Sequence, residues 1–164
     1  MTEKYFGYMP NDFVNGENVS VSLWTAGCPH HCPGCHNQEM WDYNSGFDVP
    51  ENIDDLLVEA IQANGIIRNF SVLGGEPLSK QNIPFVNRIL TMVRENFPSI
   101  KIFLWTGSTV DVLQKLRKTN TELDNILKNV DVLIDGPYIQ EKRDISLKLR
   151  GSTNQHILYN GIDF

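Results

Sequence analysis

Apolar residues recur along this chain in two periods, every second position in short runs and at helical spacing between those runs. Val19, Val21 and Leu23 alternate with Ser20, Ser22 and Trp24, which predicts a strand with one apolar face that delivers the chain to Gly27. After Pro50, Ile53, Leu56, Leu57, Ala60 and Ile61 follow helical spacing. Glu51, Asp54 and Asp55 sit near the helix start, where its dipole favours acids, and Gly65 marks the stop. A strand at Phe70 to Leu73 ends in Gly74-Gly75-Glu76-Pro77, and a helix carrying Phe85, Ile89, Leu90 and Val93 runs toward Pro98. Ile100 to Trp105 reads as the next strand, closed by Thr106-Gly107, with a helix over Val110 to Leu116 after a Ser108 or Thr109 cap. Leu123, Ile126, Leu127 and Val130 form one more helical stripe and lead into the strand Val132-Leu133-Ile134, which ends at Asp135-Gly136-Pro137. At the two ends the pattern is weaker. Tyr5 to Met9 reads as a short edge strand, and Ile145 to Arg150 and His156 to Tyr159 read as strands around a Gly151 to Gln155 turn; Asn37 to Gly46 has no clear period.

Strands alternating with helices predict an α/β fold whose parallel sheet is built by right-handed crossovers. About five or six mainly parallel strands are too few for a closed eight-stranded barrel. The expected architecture is an open partial (β/α) barrel, one domain over residues 1–164, with an open side that can admit a large partner.

Composition narrows the function classes. A chain that is 41% hydrophobic and 21% charged is an ordinary globular protein, and a net charge of -6 without a basic run argues against nucleic acid or an anionic membrane as principal partner. Met1 to Pro10 lacks the basic end and apolar run of a signal peptide, and no stretch reaches transmembrane length, so the expected location is the cytoplasm.

All three cysteines, Cys28, Cys32 and Cys35, fall within eight residues. Three cannot all pair as disulfides, and spacings of three and two intervening residues suit one loop wrapping its thiolates around a metal centre. On a cubane iron-sulfur cluster three thiolates leave one iron open to substrate, unlike the four-cysteine ferredoxins. The other reading is a zinc site completed by His30, His31 or His36, which would make the chain a binding module without catalysis. Gly74-Gly75-Glu76-Pro77 bears on this choice. Two glycines after a buried strand let backbone carbonyls approach a ligand, and Pro77 biases Glu76 toward an extended conformation facing it. A carboxylate beside carbonyl acceptors suits an ammonium group, although a plain strand-ending turn is the rival.

The C-x3-C-x2-C pattern resembles the radical S-adenosylmethionine (SAM) superfamily, in which the open iron chelates the methionine part of SAM. More narrowly, Cys28 to Asn37, Gly74 to Pro77, Trp105-Thr106-Gly107, Asp135-Gly136 and Arg150-Gly151-Ser152 with Asn154-Gln155 resemble the family of activating proteins of anaerobic (class III) ribonucleotide reductases, which are glycyl-radical activases. The resemblance implies a 4Fe-4S cluster on Cys28, Cys32 and Cys35 and SAM as cosubstrate. One electron, delivered by a flavodoxin or ferredoxin type donor, cleaves SAM to methionine and a 5′-deoxyadenosyl radical. That radical takes a hydrogen atom from a glycine in the C-terminal region of the reductase catalytic subunit. The resemblance further assigns Gly74, Gly75 and Glu76 to the SAM amino group, and Thr106 and Asp135 to a monovalent cation beside the SAM carboxylate. Trp105 stands where relatives carry a further acidic ligand, which leaves that cation site open. Arg150 and Asn154, with Gln155, are candidate contacts to SAM's ribose or carboxylate, with a structural turn as the equal rival. His36 is the candidate contact from the cysteine loop, since Gly34 stands where many radical SAM enzymes carry an aromatic residue; His30 and His31 are read as shaping the loop. A different glycyl-radical enzyme or a small molecule is the alternative substrate.

Overall fold

A computed structural model describes residues 3–164, so the first two residues of the expected domain lie outside the described residues. The strands are β1 (Lys4–Asp12), β2 (Ser20–Thr25), β3 (Phe47–Asp48), β4 (Asn69–Gly74), β5 (Ile102–Trp105), β6 (Val132–Asp135) and β7 (His156–Tyr159), and the helices are α1 (Ile53–Ile61), α2 (Ile83–Asn96), α3 (Val110–Leu116) and α4 (Thr121–Asn129). They form one seven-stranded sheet in the order β3-β1-β2-β4-β5-β6-β7.

The α/β class stands, and α1, α2 and the α3–α4 pair connect the parallel strands β2, β4, β5 and β6. Three expectations change. β1 runs antiparallel to both β2 and β3, and β7 runs antiparallel to β6, so the sheet is mixed and seven-stranded rather than mainly parallel with about five or six strands. Periodicity reports which residues are buried and not which way a strand runs, and the two exposed residues of β3 carry no period at all. The sheet ends in two edges, β3 and β7, so the pairing establishes an open mixed sheet and goes no further toward a barrel.

The second change concerns Ile145 to Arg150, which is not a strand. Its backbone turns instead, with one isolated bridge, Arg143 to Ser152, at its base. The Asp144 carboxylate accepts the Ser146 N–H at 2.9 Å and bends the chain, and Leu149 takes a left-handed φ of 59°. At the other end of the chain, β1 is longer than expected and lies one strand in from the edge.

The two faces of the sheet are covered differently. Val21, Leu23, Phe70, Val72, Ile102, Leu104 and Leu133 all point to the helical side, where they pack against Leu57, Val86, Leu90, Ile126 and their neighbours. On the other face Ser20, Ser22 and Ser71 are fully buried, although alternation alone would leave them in water. The β1–β2 connection folds over them. Ser22 donates to Asp12 Oδ2 at 2.7 Å, and Ser71 donates to the Asn15 carbonyl at 2.7 Å. Gly16 fits this cover because a Cβ there would lie 2.7 Å from Ser20 Oγ. Further along the same face Phe103, Val132 and Ile134 make a second small core with Trp105, Leu149 and Ile157. Among the described residues no helix is long and apolar enough to cross a membrane.

Burial pushes the Asp12 carboxyl up, but hydrogen bonds from Ser22, Asn15 and the N–H groups of Val14 and Asn15 outweigh it and hold the group below the usual carboxylate range. A depressed value stabilises the fold above the unfolded pKa and ceases to do so as pH falls through the folded one. Asp12→Ala is therefore expected to cost about 1–3 kcal/mol at neutral pH. Urea unfolding of the two proteins should show that difference in full above about pH 4 and shrinking below it.

Candidate functional site

The C-terminal ends of β2, β4 and β5 meet at a cavity of about 420 Å³, the position where parallel strands assemble active sites. Cys28, Cys32, Cys35, His36, Gly74, Gly75, Glu76, Thr106 and Arg150 line it. So do four residues that sequence reasoning did not single out: Val14, Tyr138, Leu147 and Leu149.

β2 feeds the cysteine loop directly. The loop closes at its base through Gly27 N–H to the Met40 carbonyl at 2.7 Å and Cys28 N–H to the Trp41 carbonyl at 3.1 Å. His31, in a left-handed conformation at φ 47°, stacks on Trp41 with ring centres 4.5 Å apart. Gly34 takes φ 79°, a left-handed conformation that favours glycine, and lies under the Gln140 side chain. Backbone N–H groups face the sulfurs: Asn37 donates to Cys35 Sγ at 3.4 Å, and those of His30 and His31 to Cys28. Burial nonetheless pushes the Cys28 thiol up, and the Glu76 carboxylate adds to the rise.

Glu76 is the most heavily engaged side chain of the site, at 1% exposure. Its Oε1 accepts from Leu78 N–H and from the Thr106 hydroxyl, both at 2.8 Å. Its Oε2 accepts from Gly107 N–H at 2.7 Å and lies 2.7 Å from His30 Nε2. The hydrogen bond to Glu76 raises the His30 pKa against the opposing effect of burial. His30 is thus more than a loop-shaping residue. It ties the cysteine loop to the end of β4, and no sequence period signals a contact that spans forty-six positions.

The glycines of Gly74-Gly75 have a structural duty beside any ligand. A Cβ on Gly74 would stand 2.5 Å from the Thr25 backbone, and one on Gly75 would stand 2.4 Å from the Gly27 carbonyl oxygen. That carbonyl accepts the Glu76 N–H at 2.7 Å, so close approach of the two strand ends is what orients the carboxylate.

The remaining candidates divide. Thr106 is at the cavity, but its hydroxyl donates to Glu76 and accepts Ser108 N–H at 3.1 Å. Asp135 is buried away from the cavity lining, accepting Val110 N–H at 2.8 Å at the start of α3 and pairing with His156 at 2.9 Å. Of the two side chains proposed for a cation, Thr106 thus lines the cavity and Asp135 does not. Arg150 lines the cavity and donates to the Gln155 carbonyl at 3.1 Å. Asn154 does not line it, and holds the Pro137 carbonyl at 2.7 Å. The Gln155 side chain accepts from Gly151 and Ser152 N–H, so the turn from 150 to 155 is internally braced. His36 leans on Tyr138 with ring centres 5.6 Å apart. Among the described residues no three His, Cys, Asp or Glu side chains gather around a point that would hold one metal ion.

Residues 14–158 match the model of the 4Fe-4S single cluster domain family. The chain is also similar to anaerobic ribonucleoside-triphosphate reductase-activating proteins along nearly its full length. It is 39% identical to that of Haemophilus influenzae, covering 93% of this chain and 96% of the relative. It is 35% identical to that of Escherichia coli K12 over 92% and 95%, and 36% identical to that of Enterobacteria phage T4 over 92% and 90%. The chain belongs to this family of reductase-activating proteins. The donor set fits an iron-sulfur cluster: three free thiols on one cavity, with backbone N–H groups turned to sulfur. As an activating protein of this family, the chain combines those thiols with a carboxylate held ready by four donors.

Gly75→Ala would drive a methyl group into the Gly27 carbonyl and part the two strand ends. It is expected to destabilise the protein by about 1–3 kcal/mol, measured by thermal unfolding, and to reduce iron and sulfide retained after reconstitution.

Proposed function

We propose that this chain is the glycyl-radical-generating activase of an anaerobic ribonucleoside-triphosphate reductase and belongs to the radical SAM enzymes. The observation that carries the reading is Cys28, Cys32 and Cys35 facing the same cavity as Gly74, Gly75 and Glu76 in a chain with activating proteins as relatives. Three thiolates from this loop hold a 4Fe-4S cluster and leave one iron for SAM. When bound, the cluster and SAM would supply one-electron reductive cleavage of SAM to methionine, coupled to removal of a hydrogen atom from a glycine of the reductase and formation of 5′-deoxyadenosine. A flavodoxin or ferredoxin type protein is the proposed source of the electron.

The chain's own residues bind, orient and exclude water. A SAM ammonium that took the place of His30 on Glu76 Oε2 would meet a buried carboxylate at the cavity wall, where a charge-assisted hydrogen bond is stronger than in water. Thr106, Gly107 and Leu78 fix that carboxylate by hydrogen bonds, so it need not reorganise on binding. Leu73, Leu147, Leu149 and Trp105 give part of the wall an apolar surface, beside the polar groups of His36, Tyr138 and Arg150. His36, Arg150 and the 151–155 turn stand where they can meet the remainder of SAM. Thr106 and Asp135 are the residues proposed for a monovalent cation, in addition to the hydrogen bonds they make here.

An anaerobic assay of iron-reconstituted protein with SAM, a strong reductant and the purified reductase tests this reading. A glycyl-radical doublet in the electron paramagnetic resonance spectrum of the reductase is expected, together with 5′-deoxyadenosine release. Cys28→Ala, Cys32→Ala and Cys35→Ala should each abolish both signals. Deoxyadenosine without the doublet would move the substrate to another protein or a small molecule, and a colourless protein containing zinc would overturn the reading. Glu76→Ala is expected to weaken SAM binding about tenfold or more, read by equilibrium titration.

A further inference from the structure

The mouth of the cavity carries large apolar side chains that this chain leaves in water. Phe13 is 76% exposed, Val14 78% and Ile145 88%. They sit on two separate loops whose neighbouring residues line the cavity, Val14 and Asn15 on the β1–β2 connection and Leu147 and Leu149 on the strap that leads to β7. The loops approach one another: Glu17, paired with Lys101 at 2.6 Å, also feels the charge of Lys148 on the strap.

Neither loop is slack. Asp12 receives the N–H groups of Val14 and Asn15 at 2.9 and 3.1 Å, which turns Phe13 and Val14 outward. The strap is anchored by the Trp105 indole N–H on the Leu149 carbonyl at 2.8 Å, and Asp144 holds Ser146 so that Ile145 sits at the tip. Apolar side chains held in water on two braced loops beside one cavity mark an interaction surface rather than scattered surface residues. The other strongly exposed apolar residues, such as Val112 on α3 and Ile162 after β7, do not line or adjoin the cavity.

Charge adds a second constraint. The chain carries a net charge of -6, yet the strap presents Lys142, Arg143 and Lys148 to solvent, and among the described residues none of the three forms an ion pair. We infer that the two loops are the docking rim for the reductase and accept a polypeptide segment with apolar side chains at the mouth and carboxylates along the strap. The inference rests on the activase reading, because a macromolecular substrate must bring its reacting residue to this opening. The apolar contacts would set the lifetime of the complex, and the strap cations its rate of formation.

Anaerobic binding titrations of the reconstituted full chain with purified reductase test it. The double variant Phe13→Ser with Ile145→Ser is expected to weaken the complex about tenfold or more, with Val112→Ser plus Ile162→Ser as a control that stays within about twofold. Lys142→Glu with Lys148→Glu should slow association most at low salt. Thermal unfolding of each variant separates lost contact from lost fold, and the charge variant probes the same rim if the apolar one is unstable. Unchanged affinity in the apolar variant, an equal loss in the control, or a loss of self-association in place of reductase binding would each overturn the inference. If the wild-type chain activates the reductase and the rim variants do so with equal affinity, only the docking rim fails. A wild-type chain that does not bind the reductase removes both.

Discussion

A carboxylate with almost no solvent access is the constraint around which this protein is arranged. Burying the charge of Glu76 without partners would cost several kcal/mol, on the order of what a whole domain has to spare. The chain meets the requirement with donors from three places: Leu78 just after it, Thr106 and Gly107 past the end of β5, and His30 from the cysteine loop. None of these donors is near another in sequence apart from Thr106 and Gly107. Satisfying Glu76 therefore fixes the relative placement of the β2, β4 and β5 ends, which is also the placement that builds the cavity.

Several local features follow from that demand. Strand ends brought this close leave no volume for side chains, hence glycine at 74 and 75. Gly107 is small for the same reason, since a Cβ there would lie 2.6 Å from the His30 ring. Asn82 adds a further brace, holding the Ala26 and Glu76 carbonyls at 2.9 Å each from the segment that opens α2. The cysteine loop is thus attached to the scaffold at its base by backbone hydrogen bonds and at its side by the His30–Glu76 hydrogen bond. A cluster held by such a loop would be fixed relative to the carboxylate, which is what differential binding of a reacting cosubstrate requires.

The two faces of the sheet divide the work. Helices bury one face in an apolar core and supply the stability, while the other face is closed by the chain's own connections. Small serines on β2 and β4 make room for the β1–β2 connection, and Phe103 and Trp105 make a platform for the strap. Both covers end at the cavity, so the segments outside the main core form its rim.

The helices and most strands were legible in the sequence because their apolar periods are local properties: α1, α2 and α4 bury the stripes that the spacing of Ile53 to Ile61, Phe85 to Val93 and Leu123 to Leu127 defines. The cysteine loop and Gly74-Gly75-Glu76 were legible because short spacings carry chemistry without any knowledge of the fold. Strand direction, the burial of Ser20, Ser22 and Ser71, and the turn that replaces a strand at Ile145 were not, since each depends on what another segment lays against them. The same holds for the division among the candidate residues, where Thr106 reaches the cavity while Asp135 caps a helix and Asn154 braces a turn. By itself the sequence determined which residues are able to bind metal and charge; the tertiary structure decided which of them face one cavity and which hold it together, because hydrogen-bond partners are assigned by proximity in space.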